Sequence, residues 1–163
     1  MVKLILGSTL VDDSFVTVES LEQAANLPDV IVPLTVFVAH KAQWLARSGK
    51  LGVWLAAGDD AEVLAEDLEH LSVVAIDFPS FTDGRGYSTA RLLREKYHYR
   101  GQVRAVGDVF RDVMFYLARC GFNAFVVRAS DTPENALLGL NTFSESYQSG
   151  VDKPAPLYRR RLA

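Results

Sequence analysis

Leu51-Gly52-Val53-Trp54-Leu55-Ala56-Ala57, followed by Gly58-Asp59, is the stretch from which the fold of this chain is read. An uncharged apolar run of this length, rich in large side chains and closed by glycine, reads as a buried strand. Asp59, with Glu62 three residues on, then has the spacing of a helix N-cap in a capping box. Ala61, Leu64, Ala65 and Leu68 follow at helical intervals, with Glu62, Glu66 and Glu69 on the other side.

The same unit recurs downstream. Ser72 to Phe78 is a second apolar strand, and Ser88 is placed to cap a helix with Ala90, Leu93 and Tyr97 on its inner side. Gln102 to Gly107 is a third strand. Asp108 stands as the cap of a helix that stops at Cys120-Gly121, where glycine suits a helix C-terminus. Ala124 to Arg128 is a fourth strand. Thr132-Pro133 opens a last helix, with the cap preceding proline, and Ala136, Leu140, Phe143 and Tyr147 form its stripe.

Four strand–helix alternations imply parallel strands with crossover helices. At 163 residues the chain is too short for a closed eight-unit barrel, which takes about 250. The expected architecture is an open, mostly parallel α/β sheet; a half-barrel is the alternative. Upstream, residues 3–7 and 15–18 read as an N-terminal β-hairpin. Val30 to Ser48 begins like a strand and turns helical from about Leu34. The organisation expected is one domain, 1–163: a hairpin and helix over 1–50, a βα core over 51–149 and an extended basic tail over 150–163.

Composition removes several function classes. A single cysteine, Cys120, forms no internal disulfide, iron–sulfur site or Cys-rich zinc site, and it points to a reducing cytoplasm. His40, His70 and His98 share no helix face, so no metal site is expected. The longest uncharged apolar run, Val30 to Ala39, is half the length of a membrane span, and the N-terminus lacks a signal-peptide pattern. The net charge of −3 divides unevenly. Residues 1–76 carry 4 basic and 11 acidic side chains, and residues 77–163 carry 13 and 9, so −7 lies against +4. That excess is too small for a nucleic-acid footprint, but it suits an anion-binding or docking face.

Polar residues gather where the strands end, the rim at which open α/β sheets do their chemistry. In Asp83-Gly84-Arg85-Gly86 the glycines permit a tight turn, and the loop feeds the start of the Ser88 helix, where free N–H groups favour an anion. Arg85 supplies a two-pronged donor, and Arg111 and Arg128 complete the candidate anion site. The competing reading is that Asp83 and Arg85 only hold the turn. Asp77 is the candidate acid–base residue. Asp77, Asp83 and Asp108 are read as loop and cap ligands ahead of a metal cluster. Gly84-x-Gly86-x-x-Thr89 is an incomplete dinucleotide fingerprint, too far from its strand, and no cofactor is specified. Phe115 falls in the polar arc of its helix beside Arg119. That pair is expected at an interface with a second copy or another protein.

Asp77-Phe78-Pro79-Ser80-Phe81-Thr82-Asp83-Gly84-Arg85-Gly86-Tyr87-Ser88, with Ala90-Arg91-Leu92-Leu93-Arg94, Tyr99-Arg100-Gly101, Arg104 to Val109 and Cys120-Gly121-Phe122, resembles a bacterial family of unknown function, number 934 among such domains. Members are commonly encoded beside sulfite reductase, and some carry an oxidoreductase label. The resemblance implies a role in sulfur assimilation, with sulfite reductase as partner, and transfers no catalytic residues. Two functions follow. One is an accessory protein binding an anion or partner through the Asp83–Gly86 loop. The other is a small enzyme acting on an anionic substrate, with Asp77 as its acid–base group.

Overall fold

The computed structural model describes residues 3–162 as one mixed α/β sheet with its helices outside. The strands are β1 (Lys3–Leu6), β2 (Thr9–Asp12), β3 (Val16–Thr17), β4 (Asp29–Pro33), β5 (Lys50–Leu55), β6 (Val73–Phe78), β7 (Gln102–Gly107) and β8 (Ala124–Phe125). Their spatial order is β2-β1-β8-β7-β6-β5-β4-β3. From β3 to β8 every neighbouring pair is parallel, and β1 lies antiparallel to both β8 and β2.

Strands that succeed one another in space as in sequence, joined by right-handed crossovers, leave all their connections on one face. The alternating side chains confirm this arrangement. Leu51, Val53 and Leu55 of β5, Val74, Ile76 and Phe78 of β6, and Val103 and Ala105 of β7 enter the main core beneath the helices. Ile31, Val73 and Ala75 instead form a second, smaller cluster on the inner face with Phe15, Trp54 and Val106.

Connectivity bends the sheet. β2 and β3 are its two edges, yet only residues 13–15 join them. Eight flat strands would hold those edges about 33 Å apart, whereas the four Cα steps from Asp12 to Val16 span at most about 14 Å. The sheet therefore curls into a half-barrel, the second of the two architectures expected, with the linker drawn across its open side.

The helices are α1 (Leu21–Ala24), α2 (Leu34–Ala39), α3 (Lys41–Leu45), α4 (Arg85–Glu95), α5 (Arg111–Arg119), α6 (Pro133–Gly139) and α7 (Leu157–Arg160). The turn to helix at Leu34 and the Thr132-Pro133 start stand as read: Thr132 accepts from the Asn135 N–H. Gly121, at φ +108°, stops the chain after α5.

Several local expectations are corrected. The hairpin pairs β1 with β2, while residues 16–17 belong to the far edge. Asp60, not Asp59, caps the next segment, because the Asp59 carboxylate accepts from the Ala56 N–H. That segment forms 3₁₀ turns at Ala61–Leu64 and Leu68–His70 rather than an α-helix; the Ala61/Leu64 spacing of three suits a 3₁₀ turn. α4 starts at Arg85, so Ser88 lies inside it rather than at its cap. Asp108 does not cap α5. The first N–H of that helix donates to Asp131 of another loop. β8 is only two residues long, and Phe143 and Tyr147 lie beyond α6 and are exposed.

Candidate functional site

The site lies at the carboxyl ends of β5 to β8. Alternation along β6 puts Asp77 on the inner face beside Gly107 of β7, to which Phe78 is paired. A side chain at Gly107 would strike the Phe78 carbonyl and the Asp77 carboxyl, and its φ of +92° is one that L-residues resist. Asp77 is half-buried. Burial first, and the Asp83 charge second, raise its pKa above the ordinary carboxylate value, with no hydrogen bond among the described residues offsetting them.

After β6 the chain turns through Pro79 to Gly84. The Asp83 carboxylate accepts from the Arg85 backbone N–H and is gripped by the Arg85 guanidinium, Nε at 3.0 Å and Nη2 at 2.6 Å. These bonds hold Asp83 down at a pKa of about 2. Arg85 remains 62% exposed and extends over Gly58 of the β5 loop. Gly84 has open space around it, whereas a Cβ on Gly86 would collide with the Phe78 ring. The second glycine thus serves the packing of α4 on β6. Ser88 is exposed, one turn into the helix.

Asp108 follows β7 and accepts from the Phe81 N–H at 2.9 Å and from Arg128 at 2.8 Å. Its pKa is lowered, first by Arg128 and then by the Phe81 N–H. The Arg128 guanidinium lies 3.9 Å from the centre of the Phe110 ring, and Phe110 meets Phe81 edge-on at 5.9 Å. Phe81 is 54% exposed. The rim therefore consists of two arginine–carboxylate pairs, a half-buried carboxyl and an aromatic step. Sequence reading missed that step, although Phe81 and Phe110 both adjoin loop residues it had singled out.

Each of the three arginines of the candidate anion site has a partner within the fold. Arg85 engages Asp83, Arg128 engages Asp108, and Arg111 donates to Asn135 of α6. Much of the basic excess is likewise structural. Arg94 donates to the carbonyls of Tyr99, Gly101 and Gly121. Arg119 binds Ser146, Asp152 and the Gln148 carbonyl, and Arg160 binds Glu145. Phe115 packs edge-on against Phe143 of its own chain at 5.0 Å.

Among the described residues no three His, Cys, Asp or Glu side chains converge to hold a metal ion, and no helix is long and apolar enough to cross a membrane.

Residues 52–158 match the family described as bacterial protein of unknown function, DUF934. The chain belongs to the DUF934 family. The DUF934 match runs from β5 into α7 and contains the whole rim, Asp77 to Arg128. Asp13 and Phe15 of the closing linker lie outside it. Comparison with curated proteins gives no match.

Proposed function

We propose that this DUF934 chain is an accessory protein of assimilatory sulfite reduction, acting in the cytoplasm by docking on sulfite reductase through the Asp83–Gly86 loop and the adjoining Phe81. The observation that carries the docking reading is the state of the rim arginines. Arg85 and Arg128 are each neutralised by a carboxylate two and twenty residues away, which disfavours a small anion. Beside them Phe81 offers an exposed aromatic anchor on a charge-balanced rim, a composition that suits a protein partner. The resemblance to proteins encoded beside sulfite reductase supplies the identity of the partner. A homodimer through α5 belongs to the same reading, with Phe115 and the exposed Phe143 and Tyr116 at its centre, while Arg119, held by Ser146, Asp152 and the Gln148 carbonyl of its own chain, stands behind them. The test is association of the purified chain with its cognate reductase, compared with a Phe81→Ser variant. Binding weakened about tenfold or more by the variant, the loss of an anchor residue, supports the reading. No association, together with normal growth of a deletion strain on sulfate, sinks it.

A second reading rests on Asp77. A half-buried carboxyl with a raised pKa, at the carboxyl end of a mid-sheet strand, is suited to proton transfer. In that reading the protein is an oxidoreductase or other enzyme acting on an anionic, sulfur-containing or phosphorylated substrate. The substrate displaces Asp83 from Arg85, and Asp77→Asn abolishes turnover while leaving binding intact.

A further inference from the structure

The concave face of the half-barrel holds a cavity of ≈ 550 Å³, one inner-face position along β6 from Asp77 of the rim. Its walls are largely apolar: Phe15, Ile31, Trp54, Ala75, Val106 and Val126. We propose that it binds an uncharged aromatic ring compound.

Three observations carry this. First, the interior of a barrel sheet is normally filled by layers of bulky side chains. Here Ala75 sits at the middle of β6, and Trp54 on the neighbouring strand is only half-buried. A tryptophan on an inner sheet face with a solvent-facing flank offers a ring surface to a guest. Second, among the described residues the charged side chains lining the cavity are Asp13 and Arg104, and they cancel. Arg104 donates through two nitrogens to Asp13, at 2.7 and 3.0 Å, and both side chains are nearly buried. A charged guest would have to part this pair or lie unpaired in an apolar enclosure, and both are costly. Third, the linker of residues 13–15 crosses the concave face, and Asp13 and Phe15 themselves line the cavity. The volume lies within the range of small-ligand pockets, and Thr17 at the mouth provides one hydroxyl.

The test uses the full ¹⁵N-labelled chain and two probes of similar shape, benzyl alcohol and benzoate. The chain has two tryptophans. Trp44 is fully buried with its indole N–H bonded to the Val36 carbonyl, and it serves as the internal control. Benzyl alcohol should shift the Trp54 indole resonance saturably and leave Trp44 in place. Benzoate should bind at least about tenfold more weakly, as expected for a buried charge without a partner. Ala75→Leu, which fills the cavity, should remove the response. Val106→Leu, facing the same cavity from β7, gives the same answer if Ala75→Leu does not fold. The proposal is overturned by any of four results: no saturable shift, equal binding of benzoate, an unchanged response in the filling variants, or a Trp54 shift that follows protein concentration without probe. The last would assign the face to self-association.

Discussion

Asp13→Ala tests the buried ion pair that the closure of the sheet brings together. Arg104 is a charged residue in the middle of β7, its side chain 3% exposed, and Asp13 is 10% exposed. Removing the carboxylate leaves a guanidinium in a site water hardly reaches, a change that costs about 3–5 kcal/mol for buried pairs. Two features place this case at the lower end. With its amide oxygen turned towards the guanidinium, Gln102 accepts from Arg104 Nε and Nη2 at 3.2 Å. The Phe15 ring lies 5.4 Å from the guanidinium carbon. The expected loss is therefore about 3 kcal/mol, read from urea unfolding as a lower midpoint. The companion variant, Asp13→Ala with Arg104→Met, removes both charges and should recover most of that loss, because an apolar replacement of a buried pair is often close to neutral. A single-variant loss below about 1 kcal/mol, the size of a surface pair, would refute the reasoning. A double variant no more stable than the single one would refute it equally.

Three further outcomes are expected. Asp83 should titrate with a midpoint of about 2 by carboxyl-carbon NMR, and Arg85→Ala should return it towards the ordinary value; because its folded pKa is depressed, its contribution is present above the unfolded value and lost as pH falls through 2. Asp77 has the opposite sign: its raised folded pKa means that stability falls as pH rises from the unfolded value through the folded one, so Asp77→Asn should gain stability relative to wild type at pH 7 and not at pH 3, measured by paired melts. Gly107→Ala should cost more than about 1 kcal/mol in urea unfolding, since it combines a positive φ with a clash against the Phe78 carbonyl; a cost like that of an exposed-loop substitution would remove the close-approach argument.

The candidate site was legible in its parts rather than in its pairings. Asp77, the Asp83–Gly86 turn and Asp108 all lie at strand ends, as the apolar runs before them required. What each carboxylate binds was not legible. Asp108 reads as a helix cap because caps are recognised by sequence distance, whereas its true partners are Phe81 and Arg128. The cap of α5 comes from Asp131, twenty residues away from Arg111, and no local pattern points to it. The charge asymmetry was legible, but not that Arg94, Arg104, Arg119 and Arg160 are held by carbonyls and carboxylates within the fold.

By itself the sequence determined what depends on neighbours along the chain. The strands at 51, 73 and 102, the Thr132-Pro133 start and the glycine stop after Cys120 follow from apolar runs, side-chain caps and backbone freedom within a few residues. Only the tertiary structure decided the curl of the sheet. Whether strands stay open or close depends on which ones become edges, and here a three-residue linker had to join β2 to β3 once the strand order had put them at opposite ends. The same closure turned Arg104 from an anomaly in an apolar strand into half of a buried ion pair, because it carried Asp13 across the concave face to meet it.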